Sequence, residues 1–143
     1  MTDPVLLVGG GPGDPSLLTL RAEAALTSAR TVLVDPELAE VAKVLAPDAA
    51  VTVLVDAPVA QIVALAGRGL APVVRLYRGD PWLHPTHAAE RAALHAAGLV
   101  TEPVPGVSTA IGLATAAGRP AHHRHASVTA RIRGDELEVL RGG

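Results

Sequence analysis

VLLVGGGPGDPSLLTLRA, residues 5–22, decides how the rest of the chain is read. Four aliphatic residues, a glycine run broken by prolines, and then a segment rich in Leu, Ala and Arg predict a buried strand, a tight turn and a helix. A dinucleotide fingerprint in that turn needs G-x-G-x-x-G with its last glycine inside the helix. With Gly9 and Gly11 as the first pair the third position is Asp14, and with Gly11 and Gly13 it is Ser16, so both registers fail. A Gly-Lys-Ser/Thr phosphate loop fails as well, because Lys43 is the only lysine in the chain. Pro12 removes an amide donor. Asp14 puts negative charge at a helix N-terminus, on amides that a phosphate would need. Two readings remain: a strand-to-helix turn capped by Asp14, or a flat backbone surface for a ligand that is not a polyphosphate.

The composition narrows the architecture. At 143 residues with 49% hydrophobic content, the chain matches one domain with a substantial core. One Trp, one Tyr and no Phe leave that core to Ala, Val and Leu, a supply that suits alternating α and β layers. A formal charge of −2 without blocks of like charge gives no nucleic-acid or membrane surface. Neither a signal segment nor an apolar span is seen, so a cytoplasmic protein is expected. With no cysteine, a cysteine nucleophile is excluded.

Apolar, β-branched-rich runs recur at residues 5–8, 31–34, 51–55, 73–77 and 99–104, each reading as a strand buried on both faces. Segments of helical period at 16–28, 36–45, 58–69, 86–97 and 107–117 alternate with them. The expected fold is α/β: a doubly wound, five-stranded parallel sheet with helices on both faces. Residues 1–120 form that domain, and residues 121–143, with one β-like run at 126–132, read as the start of a second domain or a tail. In such sheets ligands bind beyond the carboxyl ends of strands, where the winding reverses. The loops after strands one and four are GGGPGDP (9–15) and RGDPWLHP (78–85). Both carry Gly-Asp-Pro. If the two strands are neighbours, the loops form one site; alone, either is only a capped turn.

Other polar features are weaker. His122, His123 and His125 resemble a metal cluster only superficially, and no metal site is expected. His84 and His87 read as rim residues of the site. Ser108-Thr109 lacks the G-x-S-x-G elbow of a hydrolase. Asp35, closing the second strand, occupies about the place of a ribose ligand in a nicotinamide-binding oxidoreductase, which remains an option.

Taken in order, VLLVGGGPGDPSLLTLRAEAAL, TVLVDPEL, VVRLYRGDPW, AAGLVTEPVPGVSTAIGLATAAGRP and HHR resemble the tetrapyrrole methylase family, in particular its uroporphyrinogen-III C-methyltransferase branch. The resemblance runs from about Val5 to Arg124. It implies S-adenosyl-L-methionine as cofactor, held between a first domain of this α/β type and a second domain largely missing here. A tetrapyrrole substrate, no nucleic-acid or membrane partner and a homodimer are further expectations. Position by position, Gly9, Gly11, Pro12, Gly13 and Asp14 match the family's first glycine-rich loop. Gly79, Asp80 and Pro81 match the loop that meets the cofactor's methionine portion, and Ser108, Thr109 and Ala110 match the start of a cofactor-facing helix. Asp35 matches an acidic residue close to the substrate cavity.

The resemblance implies methyl transfer to a pyrrole carbon, with Asp35 or Asp14 guiding a pyrrole N–H or a leaving proton. Arg78, His84, His87 and Arg124 are the candidates to meet substrate carboxylates. The chain also departs from the family. Trp82, Leu83, His84, Pro85, Thr86 and His87 stand where Phe-x-Phe-Gly-Arg-Gly is usual, and a basic, His-rich stretch before the fourth strand is replaced by VDAPVAQIVALAGRG. A precorrin methylase of the cobalamin route and a non-catalytic methylase domain are the alternative functions.

Overall fold

The computed structural model describes residues 3–119, 129–133 and 136–140. Five parallel strands form one sheet: Val5–Gly9 (β1), Thr31–Val34 (β2), Ala50–Val53 (β3), Val73–Tyr77 (β4) and Thr101–Val104 (β5), in the order β3-β2-β4-β1-β5. The helices are Leu20–Ser28 (α1), Ala39–Leu45 (α2), Pro58–Gly67 (α3), Pro85–Ala96 (α4) and Thr109–Ala116 (α5). Thr129–Arg133 (β6) and Glu136–Leu140 (β7) pair as an antiparallel hairpin. β6 overlaps the run expected to be β-like at 126–132 and extends one residue past it; residues 126–128 lie outside the described residues. Among the described residues no helix is long and apolar enough to cross a membrane.

Side chains alternate across each strand, so the sheet has two distinct faces. Val8, Val32, Val34, Val74, Leu76 and Val104 pack against Ala22, Ala25 and Leu26 of α1 and Ala42 of α2. On the other face Val5, Leu7, Leu33, Val73 and Tyr77 pack against Ile62 of α3 and Leu94 of α4. Burying each of the larger side chains contributes about 1.5–3 kcal/mol relative to exposure. The doubly wound sheet expected from the alternation is thus observed.

Three local expectations need correction. β3 and β5 are the two edge strands; most β3 side chains are exposed and only Val104 of β5 is buried, so neither is buried on both faces. The helix expected at 16–28 is split: Pro15–Leu17 forms a 3-10 turn, and α1 starts only at Leu20, where the Thr19 hydroxyl accepts from the Ala22 amide. Asp14 therefore caps the short turn, through Ser16, and not α1. Its exposed carboxyl is held below the usual carboxylate range by the hydroxyl and amide of Ser16.

Candidate active site at the β1–β4 junction

β1 and β4 are direct neighbours in register Leu6↔Val74 to Gly9↔Tyr77, so the two Gly-Asp-Pro loops leave the sheet side by side. Gly11 and Gly79 then exchange both backbone hydrogen bonds, at 3.1 and 2.8 Å. Both have φ near +70°, a region that penalises any Cβ. The loop after β5 presses in from the third side. A Cβ on Gly106 would stand 2.3 Å from the Gly79 carbonyl oxygen, and one on Gly9 would stand 2.5 Å from the Gly106 nitrogen. Glycine is needed at these positions because three backbones meet there.

The same Asp-Pro chemistry serves both loops, with different reach. Asp14 Oδ1 accepts from Ser16 N at 2.8 Å, and Asp80 Oδ1 accepts from Trp82 N at 2.8 Å. Asp80 reaches further, because its Oδ2 also accepts from Gly106 N at 3.0 Å and ties the β4 loop to the β5 loop.

A cleft of about 640 Å³ opens beside this junction. Asp35, Pro36 and Glu37 line one side, Arg78, Gly79 and Asp80 the floor, and Leu83, His84 and His87 the side of α4. The start of α5, with Ser108, Thr109, Ala110 and Leu113, closes it. The structure thus brings together nine of the expected site residues: Asp35, Arg78, Gly79, Asp80, His84, His87, Ser108, Thr109 and Ala110. Gly9, Gly11, Pro12, Gly13, Asp14 and Pro81 do not line the cleft. Gly9 and Gly11 build the junction behind it, and Pro12 packs where a Cβ on Gly112 of α5 would stand 2.8 Å from its ring. Arg124 lies outside the described residues, as do His122, His123 and His125. Among the described residues no group of three or more His, Cys, Asp or Glu could hold a metal ion.

Beneath the cleft lies a charge cluster that the sequence pattern does not single out. Arg75, Tyr77 and Asp35 fall on the face of the sheet that α4 covers. The helical period of α4 turns His87, Glu90 and Leu94 toward that face. Arg75, only 5% exposed, places Nη2 2.7 Å from Asp35 Oδ1 and Nε 3.0 Å from Glu90 Oε1. Its Nη1 donates to the Leu76 carbonyl at 2.8 Å, so all three guanidinium nitrogens are engaged. The Tyr77 hydroxyl donates to Glu90 Oε1 at 3.0 Å, and burial together with the Glu90 charge pushes the phenol up, so it stays protonated. Asp35 Oδ2 accepts from the Arg78 amide at 3.0 Å, which aims this carboxylate at the cleft with both oxygens fixed. The available signal was a lone arginine inside the apolar run VVRLY.

The two histidines differ. His84 is the N-cap of α4, its Nδ1 2.6 Å from the Thr86 hydroxyl. His87 stacks on Tyr77 with centroids 4.4 Å apart, and its buried Nδ1 has no hydrogen-bond partner. Desolvation holds His87 below the usual histidine range, with Asp35 pulling the other way. The cleft therefore presents three carboxylates, with Asp35 tied to the buried cluster, Asp80 to the β5 loop and Glu37 in solvent, together with one exposed guanidinium on Arg78, the imidazoles of His84 and neutral His87, and two hydroxyls.

The family model for tetrapyrrole (corrin/porphyrin) methylases matches residues 4–141. Uroporphyrinogen-III C-methyltransferase of Methanobacterium ivanovii is 36% identical over 129 residues, 84% of this chain and 56% of that protein. A solved structure of uroporphyrin-III C-methyltransferase from Thermus thermophilus, complexed with S-adenosylhomocysteine, aligns with a TM-score of 0.65 at 37% identity, covering 86% of this chain and 55% of that one. Cobalt precorrin-4 methyltransferase, a cobalamin biosynthetic enzyme, aligns with a TM-score of 0.66 at 27% identity, covering 80% and 50%. The chain spans about half the length of these proteins.

Proposed function

The chain belongs to the tetrapyrrole methylase family, and from that premise we propose that it is the first-domain half of an S-adenosylmethionine-dependent C-methyltransferase. Its substrate is a tetrapyrrole, uroporphyrinogen III, converted to precorrin-2 on the way to siroheme and cobalamin. The observation that carries this reading is the junction of the two Gly-Asp-Pro loops, which builds a lysine-free cleft with an inward carboxylate where a phosphate site would need the opposite charge. The donor set fits the cofactor: the Ser108 and Thr109 hydroxyls offer hydrogen bonds, and Asp35 offers negative charge. Bound there, the cofactor would supply an electrophilic methyl group for transfer to a pyrrole carbon, with the carbon–sulfur electron pair remaining on sulfur and a ring proton being lost.

This chain's own residues position and exclude water, which is what transfer from a sulfonium demands more than strong base catalysis. Asp35, fixed through both oxygens, orients the pyrrole N–H and takes up the positive charge of the methylated ring. Asp14, tied to Ser16 outside the cleft lining, has no part in this step. Arg78 meets a substrate carboxylate, and neutral His87 offers a hydrogen bond instead of a charge. A precorrin methylase of the cobalamin route is the second reading, favoured by the backbone match to cobalt precorrin-4 methyltransferase. The nicotinamide option loses its support because β4 separates β2 from β1, where a dinucleotide fold has those strands adjacent.

The test is calorimetric titration of the chain with S-adenosylmethionine, followed by incubation with uroporphyrinogen III and mass analysis. Binding and mono- or dimethylated product are expected. No heat at millimolar cofactor would sink the enzyme reading for this chain. Binding without methylated uroporphyrinogen would move the substrate to a precorrin, or, if none is methylated, the role to a non-catalytic domain.

A further inference from the structure

The charge cluster under the cleft is an unexpected expense for stability alone. Each ion taken from water loses several kcal/mol of solvation, and well-packed apolar side chains of similar volume often serve equally well. The other face of this sheet is packed in that way. The cluster also has an odd stoichiometry. One guanidinium, Arg75, is shared between two carboxylates, Asp35 and Glu90. Paired with Arg75 alone, Asp35 would present a neutral dipole to the cleft. Glu90 takes up the Arg75 charge from below, so the cluster keeps one negative charge in surplus. Asp35 is its only member on the cleft lining, and it delivers that surplus there.

Resting on the cofactor reading above, we propose that Glu90, which does not touch the cleft, is a positioning residue that sets the charge of the cleft floor. It thereby makes the site prefer the sulfonium form of the cofactor over the neutral thioether left after methyl transfer. The Arg75 and Glu90 side chains are less than a tenth exposed, so solvent ions screen their field weakly. Arg78 and Glu37 also face the cleft but stand in solvent, where their fields are damped. Asp80, also on the cleft lining, accepts from two backbone amides and keeps its charge in the wild type and the variants alike, so it does not enter the difference between them. Tyr77 stays a neutral donor to Glu90 and adds no charge.

The readout is the ratio of the Kd values of S-adenosylhomocysteine and S-adenosylmethionine, measured by calorimetry on the full chain without any substrate. Glu90→Gln keeps shape and hydrogen-bonding capacity but cancels the surplus charge. The ratio should then shift about three- to tenfold toward the neutral ligand. Asp35→Asn cancels the same charge without leaving Arg75 unpaired; it should shift the ratio in the same direction and provides the measurement if Glu90→Gln does not fold. Tyr77→Phe removes a hydrogen bond from the same network but no charge, and should leave the ratio unchanged. An unchanged ratio in folded Glu90→Gln or Asp35→Asn, or an equal shift in Tyr77→Phe, overturns the inference while the cofactor reading stands. Failure of the wild-type chain to bind either ligand overturns both.

Discussion

One sheet presents two faces built from the same strands, and they solve burial in different ways. Toward α1 and α2 the contacts are aliphatic throughout, Val against Ala and Leu. Toward α3 and α4 the aliphatic packing of Val5, Leu7, Leu33 and Ile62 gives way, near the carboxyl ends of β2 and β4, to Arg75, Asp35, Glu90 and Tyr77. The charges stand directly below the cleft, so this difference separates what holds the fold from what shapes the site. Unbalancing the charged face should have the largest effect. Glu90→Leu leaves Arg75 Nε and the Tyr77 hydroxyl buried without their acceptor and should cost about 1–3 kcal/mol for each. Adding Arg75→Met removes the orphaned Nε donor and should recover part of that loss, while the proposed methyl transfer stays impaired because nothing then holds Asp35 Oδ1. Urea unfolding of both variants, set beside the single-turnover rate of the double variant, makes the check. If the double variant keeps full activity, the charged face is structural only.

The aliphatic face is expected to respond in the opposite sense. Leu26, fully buried against the sheet, lies in the helix on the far side from α4. Leu26→Ala should cost about 3 kcal/mol in urea unfolding through lost burial and a residual cavity. Cofactor affinity should remain unchanged at temperatures where the variant is folded. A loss of affinity greater than the change in folded fraction would show that the two faces are coupled and would blur the distinction.

How much of this could be read from the chain follows from the range of the interactions. β1, β2 and β4 were legible because each is a short, mostly aliphatic run, broken in β4 by Arg75, and their parallel direction follows from the βαβ alternation. β3 was legible as a strand and not as an exposed edge, since VTVLV carries the same residues as a buried run and only the strand order places it outermost. The break between Pro15–Leu17 and α1 was hidden because Leu17 and Leu18 continue the helical period, while the competing Thr19 cap is a local side-chain effect. Within the site, the Gly-Asp-Pro loops announced themselves through turn chemistry. Asp35, Arg75 and Glu90 are 40 and 15 residues apart in sequence. Their meeting depends on β2 lying beside β4 and on which turn of α4 faces the sheet, and no local pattern encodes either.

The smallest expected effect concerns His87, at the border between packed face and open cleft. Desolvation disfavours its protonated form, Arg75 and His84 oppose it further, and the attraction of Asp35 does not overcome them, so the folded pKa lies below the ordinary value of 6.5. Near pH 7.5 neither folded nor unfolded chain is protonated there, and His87 contributes no pH dependence. As the pH falls through about 6.5 the unfolded chain takes up a proton that the folded chain refuses, so stability declines until the lowered folded pKa is reached. The group is only partly buried, which keeps the decline modest. His87→Gln removes this titration, and its Tm should fall less than that of the wild type between about pH 7.5 and about pH 5.5. A wild-type curve no steeper than the variant's would mean that His87 is protonated in the fold. The cleft would then hold a second cation beside Arg78, and the surplus negative charge set by Glu90 would be neutralised from the α4 side.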